Sequence, residues 1–384
     1  FVRTKAYKTL AAVDWEYPTV NTLRNRLSDK WGYTNVEEKV IHFDIQRTEE
    51  LINGFKDDKY GKSVGLNKLI GKKKVDLIVG GPPCQAYSIA GRVRDTNGMH
   101  DDYRNYLFES YAKMVDVYQP KAFIFENVEG ILSASPGGIS IVDRITSEFN
   151  KIGYDISTNL REEALFDTSY YNVPQKRKRV IIFGVRQSDS SQSIVDSFYN
   201  KLSQKASKEP LNAEYGFANL PKIIPVRSKE KRKSHEILDD GIQIPPNHEP
   251  RFHSERDIET FKILTADIES GTNKYATSSA LINLYEEITG KRSKFHKYHV
   301  IKNNKPSNTI PAHLYKDGLR HIHPDSTQAR SITVREAGRL QSFDDDFVFL
   351  GSKGDQYKMI GNAVPPNFAA FIAETVRDVI TTIR

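Results

Sequence analysis

The sequence contains a single cysteine, Cys84, among 384 residues. One cysteine excludes an internal disulfide and any zinc cluster built from several cysteines. No apolar run reaches the roughly 20 residues that a membrane-spanning helix needs, and no signal-peptide pattern is visible at the start. With 38% hydrophobic and 27% charged residues, the composition predicts a globular protein of one large or two ordinary domains.

Positive charge is in excess over negative charge. The formal net charge is +7, which favours a polyanionic partner, although many basic proteins bind no nucleic acid. A basic stretch follows the cysteine, because residues 86–101 include Arg92 and Arg94 but few large apolar side chains. Such a loop could close over a bound substrate and exclude water.

Cys84 follows a short apolar segment that predicts a buried strand. Residues 75–79 are mostly β-branched or apolar, and the Gly-Gly-Pro-Pro run at 80–83 ends them abruptly. Cys84 is therefore expected where a strand's carboxyl end opens into a loop, which is where open α/β sheets bind their ligands. An isolated cysteine is more often a small buried apolar side chain. Here the two prolines and the strand end favour an oriented, accessible thiol.

A second apolar strand is predicted at residues 120–126, and it delivers Glu126 to the same edge of the sheet. Apolar neighbours, Phe125 and Val128, flank this glutamate. Desolvation by such neighbours disfavours the charged carboxylate, as a proton donor at neutral pH requires. The alternative is a structural glutamate that caps the following turn.

Residues 175–179, Gln-Lys-Arg-Lys-Arg, concentrate positive charge immediately before another predicted strand, 179–185. In isolation the run is either a solvated charged face or a phosphate contact. Strand alternation would place Arg177 and Arg179 on one face. Two guanidinium groups there could bind a phosphate or a carboxylate.

Two acidic residues end strands that are predicted near the start of the chain. The strand at 9–13 ends in Asp14 and Trp15, and the strand at 39–43 ends in Asp44 and Ile45. A carboxylate at such a position can accept both hydrogen bonds of a ribose diol, and an indole can stack on adenine. The alternative reading is a surface aspartate and a core tryptophan.

The composition changes after residue 186. Residues 187–205 predict a polar linker followed by a short helix, and strand–helix alternation returns only near residue 330. The interval is rich in proline and basic residues, with helices predicted at 254–270 and 279–289. Such irregular, basic backbone suits contact with phosphates and base edges. Irregularly spaced histidines predict no metal site, and no zinc-finger or helix-turn-helix signature is present.

Several short motifs resemble the blocks of the DNA cytosine-5 methyltransferases, in the order usual for that family. They are Pro83-Cys84-Gln85 with Tyr87-Ser88 and Gly91-Arg92, Phe125-Glu126-Asn127-Val128, Gln175-x-Arg177-x-Arg179, Thr333-Val334-Arg335-Glu336 with Leu340-Gln341-Ser342-Phe343, and Gly361-Asn362-Ala363-Val364-Pro365-Pro366. The resemblance is to the prokaryotic restriction-modification type and spans most of the chain.

This resemblance implies an α/β fold: a Rossmann-like mixed sheet with helices on both faces, as in S-adenosylmethionine-dependent methyltransferases, plus a smaller irregular target-recognition domain. The expected division is 1–185 for catalysis and cofactor binding, 186–328 for DNA target recognition, and 329–384 for the return to the catalytic domain. The expected reaction is methyl transfer to C5 of a flipped cytosine in a specific duplex site, through a covalent bond from the Cys84 thiol to C6.

The resemblance also assigns roles to residues, and no metal is implied. The catalytic residues would be Cys84, Glu126, Arg177 and Arg179. The cofactor-binding residues would be Asp14, Trp15, Asp44, Ile45, Pro83, Leu107, Asn362 and Val364. The DNA-binding residues would be Gln85, Ser88, Gly91, Arg92 and Arg94. A monomeric prokaryotic cytoplasmic protein associated with the nucleoid is expected, with a cognate restriction endonuclease as a possible partner.

One block of the family, a Phe-x-Gly-x-Gly turn after the central strand, is expected upstream of Phe1. Without that strand, its two neighbours in the sheet would be left unpaired. Two alternatives stay open at this point. The first is a transfer-RNA cytosine-5 methyltransferase, whose recognition region is more compact than the roughly 140 residues (186–328) available here. The second is a catalytically inactive DNA-binding relic.

Overall fold

A computed structural model describes residues 1–82, 107–135, 138, 140–226, 233–295, 298–316 and 318–381. The chain divides into two compact units. Unit 1 comprises Phe1–Tyr171, Lys178–Ser207 and Phe368–Arg384, and unit 2 comprises Asn172–Arg177 and Lys208–Asn367. Within the described ranges, no helix is long and apolar enough to cross a membrane.

Unit 1 begins with a small parallel sheet. In chain order its elements are β1 (Ala12–Asp14), α1 (Tyr17–Trp31), α2 (Val36–Lys39), β2 (Val40–His42), α3 (Thr48–Asn53), β3 (Phe55–Asp57), β4 (Gly61–Ser63) and α4 (Leu66–Ile70). Helix α1 has proline in its first turn and ends at Gly32 in the left-handed conformation, as helix-boundary preferences predict. Strands β1 and β2 pair in parallel, whereas β3 and β4 form an antiparallel hairpin that the sequence did not predict.

The larger sheet of unit 1 is mixed, which confirms the predicted fold class. Its strands are β5 (Leu77–Gly80), β6 (Ala122–Val128), β7 (Tyr154–Ile156), β8 (Leu165–Asp167) and β9 (Lys178–Arg186). Strands β5 and β6 are parallel, and β9 pairs antiparallel with β6, β7 and β8. Among the described residues, β5 pairs only with β6 and β1 only with β2. The two sheets are therefore not joined by a strand of the described chain.

Further helices of unit 1 follow along the chain, and their apolar side chains pack with those of the strands. They are α5 (Leu107–Tyr118), α6 (Ile141–Lys151), α7 (Leu160–Glu163), α8 (Ser191–Gln204) and α14 (Pro366–Ile380), which starts at the end of unit 2. Phe123 and Phe149 stack with their ring centroids 4.1 Å apart. The hydroxyl of Tyr111 donates to the carbonyls of Ile78 and Ile124, and so fixes β5 against β6.

Residues 154–167 do not form one continuous strand. Residues 154–156 and 165–167 are separate short strands, and α7 lies between them. The hydroxyl of Ser157 accepts from the amide of Asn159 and donates to Glu163. These local hydrogen bonds compete with a strand ladder, and the Leu-Arg-Glu-Glu sequence of α7 favours a helix.

The boundaries of the compact units differ from the division predicted from the sequence. The segment after β9 was expected to leave the catalytic domain, but α8 belongs to unit 1 and buries Val195, Phe198 and Leu202 completely. Residues 329–367 were expected in the catalytic domain but belong to unit 2. The functional assignment of 186–328 to target recognition stays a prediction.

Unit 2 has little β-structure in its described part. Its elements are α9 (Glu214–Phe217), the antiparallel strands β10 (Ile223–Pro225) and β11 (His235–Ile237), α10 (Glu255–Glu269), α11 (Ser278–Thr289), α12 (Val334–Leu340) and α13 (Lys353–Asn362). The predicted helices at 254–270 and 279–289 are confirmed. Helix α12 starts with a capping box between Thr333 and Glu336, and its Ala337 and Leu340 are fully buried.

Unit 2 contains a buried ion pair. The guanidinium of Arg330 donates to both carboxylate oxygens of Glu336, at 2.6 and 2.7 Å, and both side chains are about 1% exposed. Burial by itself raises the pKa of Glu336, but the charge and hydrogen bonds of Arg330 outweigh it and hold that pKa far below its ordinary value. Removing one partner of such a pair leaves an uncompensated buried charge.

Buried histidines make unit 2 sensitive to acid. Burial lowers the pKa of His253, His321 and His323 to about 3 each, whereas an unfolded histidine titrates near 6.5. Protons therefore bind the unfolded chain preferentially below about pH 6.5. The stability from these groups is complete above that pH and is lost progressively as the pH falls toward 3.

We expect the free energy of unfolding of the full chain to fall by about 1 kcal/mol per buried histidine between pH 7.5 and 5.5. Urea titrations at the two pH values measure it. His253→Asn should reduce this pH dependence, whereas His313→Asn, at an exposed position, should leave it unchanged. Equal free energies of unfolding at both pH values would contradict the prediction.

Candidate active site

Several predicted site residues lie outside the described part of the chain, which stops at Pro82 and resumes at Leu107. They are Pro83, Cys84, Gln85, Ser88, Gly91, Arg92 and Arg94. Their roles stay predictions. The structure does describe the end of β5, which precedes this segment. It also describes the other catalytic candidates, among them Glu126 on β6 and Arg179 on β9.

Glu126 lies at the sheet edge from which the Cys84 segment leaves. In the parallel register, Gly80 of β5 is the partner of Phe125 of β6. The next residues along the two strands, Gly81 and Glu126, therefore emerge side by side. This confirms the predicted placement of Glu126 beside the strand end that leads to Cys84.

The carboxylate of Glu126 is held by Arg179 of β9. The Nε of Arg179 lies 2.8 Å from Oε1 of Glu126, and the two side chains are 13% and 14% exposed. Burial lowers the pKa of Arg179, and the Glu126 carboxylate opposes that effect. A second nitrogen of Arg179, Nη1, donates to the carbonyl of Lys178. The guanidinium is thus fixed at two points and orients the carboxylate.

Asn127 connects β6 to the segment that precedes the cysteine. Its side chain is almost fully buried, and its Nδ2 donates to the carbonyl of Pro82 at 3.4 Å. Its Oδ1 accepts from the amide of Val128 at 2.8 Å. Asn127 was not expected to be a site residue from the sequence, although its place directly after Glu126 could have indicated it.

Arg177 does not share the environment of Arg179, so the expectation that both lie on one face is wrong. Strand β9 begins only at Lys178, and strand alternation therefore does not extend back to Arg177. Its side chain is 1% exposed and donates to the backbone carbonyls of Ile310, Gly361 and Ala363, at 2.7 to 3.2 Å. These contacts are made within unit 2.

Two of the carbonyls that Arg177 binds belong to Gly361 and Ala363, the residues immediately before and after Asn362. Asn362 is a predicted cofactor-binding residue. Gly361 and Asn362 are the last residues of α13. A Cβ at Gly361 would lie 2.4 Å from the amide nitrogen of Ala312, and a larger residue is therefore excluded there. The side chain of Asn362 is exposed, and Val364 is half-buried.

The predicted adenosine-binding residues of unit 1 lie at the carboxyl ends of β1 and β2. Oδ1 of Asp14 accepts from the amide of Glu16 at 2.8 Å, and Oδ1 of Asp44 accepts from the amide of Gln46 at 3.0 Å. Trp15 is 49% exposed, so the alternative of a core tryptophan is wrong. Two further predicted residues, Ile45 and Leu107, are half-buried and buried respectively.

His42 lies next to the predicted adenosine-binding residues, although the sequence did not indicate it. It is the last residue of β2 and the register partner of Asp14. Its Nε2 lies 2.9 Å from the carbonyl oxygen of Trp15, and its ring lies 5.3 Å from that of Tyr17. Its position at the end of a predicted strand, two residues before Asp44, could have indicated that it lies beside these residues.

No metal centre is found in the part of the chain that the structure describes, because no group of three or more His, Cys, Asp or Glu side chains is placed to hold an ion.

Comparison with known proteins decides the family. The sequence profile described as "C-5 cytosine-specific DNA methylase" matches residues 5–378. The chain belongs to this family. It is 37% identical over 326 residues to the type II methyltransferase M.Bpa9945I of Bacillus paralicheniformis, covering 80% of this chain and 71% of that one. It is 31% identical over 316 residues to the type II methyltransferase M1.HphI of Haemophilus parahaemolyticus, covering 81% and 70%.

A solved structure supports the fold. The chain is similar, with a TM-score of 0.55 and 22% identity, to a protein described as a DNA modification methyltransferase encoded within an Escherichia coli prophage. The similarity covers 97% of this chain and 92% of that one. As a member of the C-5 cytosine-specific DNA methylases, the chain is a DNA cytosine-5 methyltransferase, and its relatives are of the type II restriction-modification kind.

Proposed function

We propose that the protein transfers a methyl group from S-adenosylmethionine to C5 of a cytosine in a specific duplex DNA site, through a covalent intermediate on Cys84. The observation that carries the proposal is the Glu126 carboxylate. It is fixed by Arg179 at 2.8 Å, at the sheet edge where β5 leads through Gly81 and Pro82 to Cys84. In this proposal Glu126 is the proton donor, and Cys84, two residues after Pro82 in the sequence, is the nucleophile.

Cytosine C5 is too weak a nucleophile to accept a methyl cation equivalent directly, and a stacked base is out of reach. The target base is therefore flipped out of the duplex. The Cys84 thiolate forms a bond to C6 while Glu126 protonates or hydrogen-bonds N3. The electron pair that leaves the C5–C6 double bond makes C5 nucleophilic. After methylation, solvent water accepts the C5 proton, the C5–C6 double bond returns as the Cys84 thiolate is expelled, and N3 gives its proton back to Glu126.

S-adenosylmethionine would supply the electrophilic methyl group. The residues of this chain suit its parts: carboxylates for the ribose hydroxyls and the adenine amino group, and an exposed indole for the adenine face. The proposed binding residues are Asp14, Trp15, Asp44, Ile45, Pro83, Leu107, Asn362 and Val364. Arg177 would fix the backbone on both sides of Asn362, because it donates hydrogen bonds to the carbonyls of Gly361 and Ala363.

Recognition of DNA is assigned to two regions. Residues 186–328 would choose the target site, and Gln85, Ser88, Gly91, Arg92 and Arg94 would contact the DNA next to the flipped base. Duplex DNA as the substrate agrees with the family and with relatives named type II methyltransferases. We further propose a cytoplasmic, nucleoid-associated monomer, with a restriction endonuclease of the same site specificity as a possible partner.

The proposed function is tested by incubating unmethylated plasmid with the protein and S-adenosylmethionine, followed by bisulfite sequencing. We expect 5-methylcytosine within one short sequence context and none without the cofactor. A parallel incubation with transfer RNA distinguishes the first alternative, since only a transfer-RNA enzyme would modify it in preference to DNA. Binding of the plasmid without any methylation would favour the inactive relic.

A further inference from the structure

Gly81, directly after β5, lies against the free end of the Glu126 side chain. A Cβ built at position 81 would lie 2.6 Å from Oε2 of Glu126, and its next contacts, the carbonyl oxygen and Cβ of Glu126, are at 3.6 and 3.7 Å. The carboxylate end of Glu126 therefore occupies the space that any other residue at position 81 would fill.

We infer that Gly81 is a positioning residue for methyl transfer: its lack of a side chain lets the Glu126 carboxylate lie against the β5 strand end while Arg179 holds it. The inference rests on the proposed role of Glu126. Arg179 fixes Oε1 at 2.8 Å, and Gly81 leaves room for Oε2. Each contact involves a different oxygen of the carboxylate, and together they determine its orientation.

Backbone strain does not explain this glycine. The φ angle of Gly81 lies outside the left-handed region, unlike those of Gly32 or Gly65, so alanine can adopt the same backbone conformation. Gly81 is also exposed, and the single close contact is the end of a flexible side chain. Alanine should therefore be tolerated by the fold, and its effect should fall on the carboxylate.

Gly80, the preceding residue, behaves differently. A Cβ there would lie 2.5 Å from Cε2 of Tyr111, a buried ring whose hydroxyl bridges β5 and β6. Gly80→Ala must therefore displace a packed core side chain. Glycine is therefore required at position 80 for packing of the core, and at position 81 for placement of the Glu126 carboxylate.

In Gly81→Ala, Oε2 must move by about 1 Å to restore ordinary contact, and this movement pulls Oε1 away from Arg179. Misplacement of a catalytic group by that distance costs on the order of 10²-fold in rate. We expect kcat for methyl transfer to fall by about 10²-fold, with an unchanged Tm and an unchanged Kd for DNA.

The test compares wild type, Gly81→Ala, Glu126→Gln and the double variant. Gly354→Ala is the matched control, because its Cβ would meet Tyr315 only at an ordinary 3.5 Å. If Gly81 acts through Glu126, the double variant is no slower than Glu126→Gln alone. Activity is expressed per folded protein, with Tm measured for each variant.

Three results would overturn the inference. The first is a kcat for Gly81→Ala equal to that of Gly354→Ala while Glu126→Gln is slow. The second is an additive loss in the double variant. The third is a lowered Tm for Gly81→Ala with wild-type activity per folded molecule. A wild-type kcat for Glu126→Gln would instead remove the proposed role of Glu126 itself.

Discussion

Replacing Cys84 by alanine or serine should abolish methyl transfer and leave DNA binding largely intact. Only the sulfur can add to C6 and later leave, whereas affinity for the duplex comes mainly from phosphate contacts. Methyl transfer from labelled S-adenosylmethionine and a gel-shift titration measure the two quantities. Retained methylation in either variant would exclude a covalent role for Cys84.

Duplex that carries 5-fluorocytosine at the target should trap the intermediate with the wild-type protein. Fluorine at C5 cannot leave as a proton does, so the thiol cannot be expelled after methylation. Peptide mapping by mass spectrometry should place the adduct on Cys84, and Cys84→Ser should give none. An adduct on another residue, or none with active protein, would show the assignment to be wrong.

Glu126→Gln should lower kcat by about 10²–10⁴-fold with little change in DNA binding. Glutamine keeps the shape of the side chain and can still accept from Arg179, but it cannot deliver a proton to N3. Glu129→Gln is a suitable control in the same segment. Its ion pair with Lys178 is exposed, at 3.2 Å, and such pairs contribute little to stability.

Single-turnover methylation separates the chemical step from product release for these variants. A wild-type kcat in Glu126→Gln would show that Glu126 is not needed for catalysis. Its contact with Arg179 would then have only a structural role in β6. An equal loss in Glu129→Gln would instead point to general damage of the 126–133 segment.

The two arginines at 177 and 179 show where pattern reasoning reaches its limit. The run of charges and the following apolar strand were visible in the sequence, and so was the proximity of Arg179 to a strand end. The alternation rule, however, holds only within a strand, and β9 begins at Lys178. Which carbonyls surround Arg177 depends on residues 133 to 186 positions away in the chain.

The division into units shows a second limit. Polar composition after residue 186 indicated a linker and a short helix outside the catalytic domain, yet this helix, α8, packs its apolar face into unit 1. Amphipathic helices carry as much polar as apolar surface, so composition alone does not distinguish them from linkers. The buried Arg330–Glu336 pair was likewise invisible, because sequence does not reveal which charges lose their solvent.

By itself, the sequence determined the family, the mixed α/β class, the order of the motif blocks and the placement of Glu126 beside the strand end that leads to Cys84, because these depend on local patterns and on spacing along the chain. Only the tertiary structure decided that Arg179 rather than Arg177 holds Glu126, that Asn127 ties β6 to Pro82, and that Gly81 makes room for the carboxylate. Each of these depends on atoms brought within 4 Å by sheet register and side-chain packing. Contacts of that kind connect residues far apart in the chain, and no local pattern encodes them.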